Sequence, residues 1–302
     1  MSIRFRSLLA IGLFPTCPAC LPTCTGVCED GRMLGFIGTG NMNGAILRGV
    51  LSAGMVKADD VVITRTNTTK GREQAAELGV TFIQGNASLA RAVDEGGVIV
   101  VGVKPYQMGD VLGELGDDAV GRVIVSVAAG APLASLEAAL PTGTAVVRVM
   151  PNVNSQIGAG MSALCGNEST TPEQLAAVRK VFDAVGLTTV LPESEFPAFT
   201  AIAGSSPAWT YTYIDALARG ALANGIQLEE ARRIAAQAVL GSAQLVLDSL
   251  GTNTPGELRD QVTSPGGTTI AGLIAMEHAG FTPAVIDAVN AVIKRDAEIA
   301  GS

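Results

Sequence analysis

The sequence predicts an α/β fold, in which a parallel, doubly wound sheet is followed by an all-α region. From residue 33 onward, short apolar segments rich in Val and Ile alternate with segments of helical periodicity. The first apolar segment runs directly into Gly38 and Gly40, and a helical pattern begins immediately after them. After Gly186 the alternation ends, and the later segments have helical spacing. Because parallel strands need helical crossover connections, these three observations together favour a parallel sheet.

Seven segments are predicted as strands. In chain order they are MLGFIG, VVITR, VTFI, GVIVVGV, RVIVSVAAG, TAVVRVMPN and a last short extended piece, TTVLPESEF. The helical patterns between them are MNGAILRGVLSAG, TKGREQAAELG, SLARAVDEG and SLEAAL. We predict a hinge at Pro192 to Phe196, which separates a sheet domain at 33–192 from a helical domain at 193–302. A leader at 1–32 precedes the sheet domain.

The helical domain is predicted to contain four helices. They are FPAFTAIAGSSPAWTYTYIDALARGALANG, QLEEARRIAAQAVLGSAQLVLDSLG, TIAGLIAMEHAG and TPAVIDAVNAVIKRDAEIAG. Each is apolar on more than one face, and such a helix needs partners on several sides. Because this short domain can hardly supply them all, we expect its helices to pack against a second subunit in a homodimer. A compact helical bundle in a monomer is the alternative.

Charge and hydropathy exclude several classes of partner. The formal net charge of −8 argues against nucleic acid and anionic membranes, both of which require basic surfaces. No apolar run approaches the roughly 20 residues of a membrane-spanning helix. We therefore expect a cytoplasmic protein that binds neither nucleic acid nor membrane.

Residues 1–32 differ in composition from the rest. They contain four of the five cysteines, namely Cys17, Cys20, Cys24 and Cys28. Arg4 and Arg6 before the run LLAIGLF imitate a signal peptide, but this run is short. Four close thiols satisfy the ligand count of a metal site, yet no His or second cysteine pair accompanies them. We interpret this segment as a flexible leader, or an extension ahead of a start at Met33, with metal binding as the alternative. The fifth thiol, Cys165, is expected in the core.

The glycines after the first strand form most of a dinucleotide-binding fingerprint, G-x-G-x-x-G. Gly38 permits the tight turn, and Gly40 lets the backbone approach a pyrophosphate at a helix N-terminus. The third position is occupied by Asn43, with Gly44 beside it. Because a strand precedes the motif and a helix follows it, we predict cofactor binding. A purely structural turn is the alternative.

The end of the second strand predicts which nicotinamide dinucleotide binds. A carboxylate there would hold the ribose 2′-hydroxyl of NAD. This chain instead has Thr64, Arg65, Thr66 and Asn67, and an arginine with hydroxyl neighbours suits a 2′-phosphate. We therefore predict NADPH, with NADH as the second candidate. A solvated loop arginine is the structural alternative.

Candidate catalytic side chains are few. His278 is the only histidine and lies beside Glu277 at a predicted helix end, so we expect an exposed helix-end residue and not a general base. The nucleophile-elbow, paired-histidine metal and phosphate-loop lysine motifs are absent from the sequence. Hydride transfer to a substrate that is already cationic would need positioning more than proton chemistry. One loop, Ser264 to Thr269, could either separate two helices or cradle an anion with its glycine backbone.

Seven segments of the chain resemble the pyrroline-5-carboxylate reductase family. They are GFIGTGNM, VGVKP, SVAAGAPLASLEAAL, RVMPNVNSQIGAGM, AIAGSSPAWTY, AAQAVLGSAQLV and PGELRDQVTSPGGTTIAGL. The resemblance covers Met33 to about Ala297 and leaves the leader outside. It implies a Rossmann-type domain followed by a helical dimerisation domain whose helices interleave between two subunits, with dimers that often assemble into rings. It also implies reduction of 1-pyrroline-5-carboxylate to L-proline, the last step of proline synthesis, with NADPH or NADH.

The resemblance implies roles for individual cofactor-binding residues. The pyrophosphate is expected at Gly38, Thr39, Gly40, Asn41 and Met42. The 2′-phosphate region is expected at Thr64 and Arg65, and the adenosine side at Asn86. The ribose and nicotinamide side is expected at Val103, Lys104, Pro105, Ala128, Ala129, Met150 and Asn152. A helix cap is the alternative role for Asn86, and Arg148 is expected to form a structural ion pair.

The substrate is expected at the loop before the third predicted helix. The backbone N–H groups of Gly266, Gly267 and Thr268 would bind the substrate carboxylate, and Ser264 belongs to the same loop. Val262 would form an apolar wall. Thr269 would hydrogen-bond near the imine nitrogen, which makes it the nearest approach to a catalytic side chain.

Some positions depart from the family pattern, and two alternative functions remain open. The departures are Asn43, Ser206, Trp209 and Thr254. The alternatives are a related NADP-dependent imine or β-hydroxyacid reductase, and a non-catalytic NADP-binding oligomer. β-Hydroxyacid dehydrogenases place a lysine on the first long helix of the second domain, and this chain has none there.

Overall fold

The computed structural model describes residues 33–300. The predictions for the leader and its four cysteines therefore lie outside the described residues. Within residues 33–300, the chain forms a sheet flanked by helices and then a run of helices. The fold class predicted from the sequence is confirmed.

In the part of the chain that the structure describes, eight strands form one sheet. They are β1 (Leu34–Ile37), β2 (Val61–Thr64), β3 (Thr81–Phe82), β4 (Val98–Val101), β5 (Val123–Ser126), β6 (Ala145–Met150), β7 (Gly160–Gly166) and β8 (Gly186–Val190). Their spatial order is β3-β2-β1-β4-β5-β6-β7-β8, and every neighbouring pair is parallel except β6 and β7. Leu34 of β1 is in register with Val61 on one side and with Val98 on the other. The chain order of the strands therefore changes direction at β1.

Six helices of the described residues accompany the sheet. They are α1 (Asn41–Ser52), α2 (Thr68–Leu78), α3 (Asn86–Ala92), α4 (Met108–Gly113), α5 (Leu133–Ala138) and α6 (Pro172–Asp183). Alternate residues of a strand point to opposite faces, so Phe36 packs with α1, α2 and α6 on one face. Its neighbour Ile37 packs with α3, α4 and α5 on the other face. Burial on both faces explains why the central strands are continuous apolar runs.

The remaining helices follow the sheet in sequence. They are α7 (Phe196–Phe199), α8 (Ser206–Ala223), α9 (Leu228–Asp248), α10 (Pro255–Gln261), α11 (Thr268–His278) and α12 (Phe281–Ala300). A π-helical turn, Thr200–Ser205, joins α7 to α8, so the first predicted long helix is interrupted. α8 and α9 pack on each other, and α12 packs on α7 and on the π-helical turn.

An ion pair connects the sheet to the first turn of the helical region. Arg148 of β6 donates from Nη1 to Oε1 of Glu193 over 2.8 Å, and its guanidinium lies 4.6 Å from the ring centroid of Phe196. The same Glu193 oxygen accepts the Leu133 N–H at the start of α5, at 2.7 Å. The predicted structural ion pair of Arg148 is thus present.

Nearby, burial raises the pKa of the half-buried Cys165 thiol and the Glu193 carboxylate raises it further, so this thiol stays neutral.

Large apolar side chains are exposed along the helical region. Leu240 and Leu245 of α9 are 62% and 54% exposed, and Ile286 of α12 is 55% exposed.

Within the described residues, no single helix is long and apolar enough to cross a membrane. α11 and α12 meet that criterion jointly, by length and composition only, as a pair bent by 50°.

Candidate functional site

A cleft of about 700 Å³ lies at the carboxyl ends of the parallel strands. It is lined by Gly38, Thr39, Gly40, Asn41, Met42, Arg65, Thr66, Asn67, Gly102, Val103, Lys104, Pro105, Gln107, Val127, Ala128 and Ala129. These residues follow β1, β2, β4 and β5, on both sides of the point where the strand order reverses. Open α/β sheets bind ligands at that point, because the loops to either side diverge there and leave a crevice.

The turn between β1 and α1 is shaped by its two glycines. Gly38 has a φ of 74°, which L side chains rarely adopt, and its N–H donates to the Thr64 carbonyl at 3.0 Å. Gly40 is the N-cap of α1 and makes no side-chain cap, and a Cβ built on it would meet no atom within 4 Å. The free N–H groups of the first helical turn therefore face open space, which a pyrophosphate fits and which a larger side chain at Gly40 would fill.

The contacts of the Asn43 side chain explain why Asn replaces glycine at the third position of the fingerprint. Its side chain is 1% exposed, and Nδ2 donates to the carbonyl oxygens of Ile37 and Val100, both at 3.1 Å. It thus joins the ends of β1 and β4 below the cleft. The space it occupies depends on Gly102, because a Cβ there would overlap the Asn43 amide.

One end of the cleft carries a cation and no carboxylate. Arg65, Thr66 and Asn67 line this end, and neither Asp nor Glu is among the residues that line the cleft. Thr64 was predicted beside Arg65, but its side chain is 3% exposed within β2 and does not line the cleft. Thr64 is thus the buried last residue of β2, and its contact with the 2′-phosphate region stays a prediction. Thr66 and Asn67, which follow Arg65, do line the cleft.

Most predicted cofactor residues come together in this cleft, and Asn86 does not. Its side chain donates from Nδ2 to Oε2 of Glu114 at 2.7 Å, away from the lining residues. Gly85 is the N-cap of α3, so the alternative in which Asn86 caps that helix is wrong. Its predicted contact with the adenosine side stays a prediction.

A second cleft of about 380 Å³ adjoins the first. It shares Met42, Val127 and Ala129 with the first cleft and is further lined by Met150, Pro151, Asn152, Val153, Thr200, Gly204 and Ser205. Asn152 is buried, and its amide makes two hydrogen bonds within the protein. Its Oδ1 accepts from the Met161 N–H at 3.1 Å, and its Nδ2 donates to the Ala203 carbonyl at 3.0 Å. Asn152 therefore holds the π-helical turn against the sheet, and its contact with the cofactor stays a prediction.

The loop before α11 has the geometry of an anion cradle. Gly266 has a φ of 65°, and Gly267 is the N-cap of α11 without a side-chain cap. The Gly267 N–H donates back to the Ser264 carbonyl at 3.1 Å, which closes the turn. The first N–H groups of α11, including those of Thr268 and Thr269, have no partner within the helix. An anion can bind there through the backbone alone.

This loop is exposed and does not border either cleft of its own chain. Val262 is 66% exposed, and Ser264, Thr268 and Thr269 are also exposed. None of them is among the residues that line the two clefts. Within one described chain, the predicted substrate residues and cofactor residues are therefore not brought together. His278 is exposed at the last residue of α11, as expected.

Sequence reasoning missed several residues at the cofactor cleft. Gly102 and Gln107 line it, and their adjacency to predicted residues was the signal that could have found them. Gln74 of α2 was also missed, although it accepts a hydrogen bond from the Thr39 hydroxyl at 2.7 Å. No motif marks Gln74, because its contact depends on how α2 packs.

Comparisons with known proteins match both parts of the chain. Residues 193–299 match the family model described as pyrroline-5-carboxylate reductase dimerisation, and residues 33–130 match that described as NADP oxidoreductase, coenzyme F420-dependent. Pyrroline-5-carboxylate reductase of Methanosarcina acetivorans is 36% identical, over 89% of this chain and 98% of its own.

Two solved structures are similar over the same length. A pyrroline-5-carboxylate reductase from Coxiella burnetii has a TM-score of 0.83 at 30% identity, covering 89% of this chain and 98% of that one. Plasmodium falciparum pyrroline carboxylate reductase with NADP bound has a TM-score of 0.76 at 27% identity, with the same coverage.

Proposed function

The chain belongs to the pyrroline-5-carboxylate reductase family, and on that premise we propose how its own residues reduce 1-pyrroline-5-carboxylate to L-proline. It is an NAD(P)H-dependent oxidoreductase that acts on a CH–NH group. The observation that carries the assignment is the glycine-lined cleft at the strand-order reversal, in a chain that matches these reductases over nearly their whole length. When bound, the nicotinamide cofactor supplies the hydride.

The glycine turn is proposed to hold the pyrophosphate. The open space above Gly40 and the uncapped start of α1 fit a doubly charged anion, since α1 presents unpartnered N–H groups there. Val103, Lys104 and Pro105 would flank the ribose on the other wall of the cleft, with Ala128 and Ala129 beside them. The nicotinamide end would then reach the smaller cleft, past Met42 and towards Met150.

NADPH is proposed as the preferred cofactor. Arg65 lines the end of the cleft beside Thr66 and Asn67, and the lining includes no carboxylate that could bind a free ribose 2′-hydroxyl or repel a phosphate. A guanidinium binds phosphate oxygens strongly through charge-assisted hydrogen bonds. NADH lacks the group that Arg65 would bind, so it should be the weaker cofactor.

The substrate carboxylate is proposed to bind at the loop before α11. After the turn at Gly266 and the N-cap Gly267, the first N–H groups of α11 have no side-chain cap and remain available to an anion. With the carboxylate held there, the Thr269 hydroxyl would hydrogen-bond near the imine nitrogen and orient the ring. The imine nitrogen can arrive protonated, so the site needs no separate general acid.

Because this loop is exposed and borders neither cleft of its own chain, we propose that it faces the cleft of a partner subunit. The matched dimerisation region and the exposed apolar side chains of α9 and α12 support a homodimer. A ring of several dimers, which the family resemblance implies, and a cytoplasmic location are further expectations.

Steady-state kinetics with purified protein test this function. We expect 1-pyrroline-5-carboxylate to be reduced with NADPH faster than with NADH, with L-proline detected as the product by chromatography. β-Hydroxyacids with NADP should give no turnover, and a Gly40→Val variant should be inactive because its side chain fills the pyrophosphate space. Absence of turnover with both cofactors would contradict the assignment, and equal use of NADH would contradict the role given to Arg65.

A further inference from the structure

The carboxamide of Gln74 connects two parts of the cofactor cleft. Gln74 lies on α2 and is half-buried. Its Oε1 accepts from the Thr39 hydroxyl at 2.7 Å and from Nη1 of Arg65 at 3.2 Å. Thr39 belongs to the glycine turn, and Arg65 follows β2. One amide oxygen therefore fixes the arginine relative to the turn that would hold the pyrophosphate.

The position of α2 makes this contact possible. Gly71 lies three residues before Gln74, so both are on one face of the helix. A Cβ at Gly71 would overlap the Phe82 ring and lie 3.4 Å from the Arg65 Cβ. The absence of a side chain at Gly71 thus lets α2 approach the ends of β2 and β3. Gln74, one turn further along, then reaches the Arg65 guanidinium.

The neutrality of Gln74 matters as much as its position. Within residues 33–300, Arg65 forms no ion pair, so its charge is not compensated by a carboxylate. An arginine has five N–H donors, and the bond to Gln74 uses only one of the two nitrogens at the end of the group. A glutamate in the same place would keep the shape and the acceptor, but it would neutralise Arg65 and repel a phosphate.

We propose that Gln74 is a positioning residue that determines specificity for the 2′-phosphorylated cofactor. It holds the Arg65 guanidinium at the ribose end of the cleft and leaves the positive charge available to the phosphate. This inference rests on the proposed preference for NADPH and adds the residue that orients the arginine.

Binding of two adenine nucleotides that differ only in the 2′-phosphate tests the inference without any turnover. Adenosine 2′,5′-bisphosphate and adenosine 5′-monophosphate are titrated by calorimetry into wild type, Gln74→Glu and Gln74→Met. We expect the wild type to prefer the bisphosphate. Gln74→Glu should reduce this preference about tenfold or more, because a like charge then faces the phosphate. Gln74→Met should reduce it by a smaller factor, since it removes the acceptor without adding charge.

Two further variants separate the possible outcomes. Ala76→Glu adds the same charge on an exposed part of α2 and should leave the preference unchanged. Arg65→Ala should abolish it. An intact preference in both Gln74 variants, or an equal loss of affinity for both nucleotides, overturns the role of Gln74 while the role of Arg65 stands. If the wild type does not prefer the bisphosphate and Arg65→Ala changes nothing, the proposed NADPH preference fails and this inference fails with it.

Discussion

Thr269 is the second residue of α11, and its hydroxyl is exposed next to the uncapped helix start. Its place follows from the turn before it, because Gly266 and Gly267 allow an anion to approach the backbone more closely than a residue with a Cβ would. A carboxylate held there brings the rest of a small cyclic substrate over the first turn of α11. A hydroxyl is well suited to this position because it can both donate and accept a hydrogen bond at the imine nitrogen.

We expect Thr269→Ala to lower kcat about 10- to 100-fold, because it removes the hydroxyl that orients the imine. Binding of NADPH should be nearly unchanged, since Thr269 does not line the cofactor cleft. Thr269→Ser keeps the hydroxyl and should restore most of the activity. Full activity in Thr269→Ala would mean that Thr269 only begins a helix.

At the residue scale, local motifs predicted the positions whose role depends on the backbone. Gly38, Gly40 and Arg65 lie at the cleft because a strand end and a helix start determine where they go. The burial of Thr64 was not predicted, because a sequence pattern does not specify the exact residue at which a strand ends. Gln74 could not be found, because its partners are 35 and 9 residues away and meet it only after α2 packs.

The π-helical turn Thr200–Ser205 forms one wall of the smaller cleft. π-Helical turns widen the backbone spacing and are frequent at functional sites. Here Asn152, from the loop after β6, donates to the Ala203 carbonyl and fixes the turn. Gly204 and Ser205, which follow Ala203, then form part of the cleft wall.

We expect Asn152→Ala to lower the free energy of unfolding by ~2 kcal/mol, because it leaves the Ala203 carbonyl and the Met161 N–H without their partners. The same variant should raise KM for 1-pyrroline-5-carboxylate as the cleft wall loosens. Urea unfolding and steady-state kinetics give the two values. Gln156→Ala removes an exposed amide from the same loop and serves as the control. Equal stability of the two variants would contradict this role of Asn152.

At the element scale, the sequence predicted the strands other than β7, and it did not predict α4, α6 or α10. β7 contains Gly, Ser and Cys among its apolar residues, so its strand pattern is weak. It also pairs antiparallel to β6, and no local sequence signal specifies that pairing. α6 did carry a signal, because Thr171 and Gln174 form a capping box around Pro172. The π-helical turn differs from an α-helix only in its hydrogen-bond pattern, and composition does not report that difference.

At the scale of the whole molecule, the two clefts described above lie at the carboxyl ends of the strands and beside the π-helical turn, and the exposed turn before α11 lies in the helical region. The exposed apolar side chains of α9 and α12 indicate that the helical domain is covered in the assembled protein, in line with the matched dimerisation region. In a two-fold dimer, each cleft would then receive the loop of the other subunit. Each active site would be built from two chains.

Hybrid dimers test this central claim most directly. Gly40→Val destroys the cofactor cleft but keeps the loop, and Thr269→Ala impairs the loop but keeps the cleft. In a hybrid of the two, one site combines an intact cleft with an intact loop only if the loop acts in the partner subunit. We predict that refolding the variants together in equal amounts restores about one quarter of the wild-type activity, since half of the dimers would be hybrids with one intact site each. Activity no higher than the average of the separate variants would contradict the account.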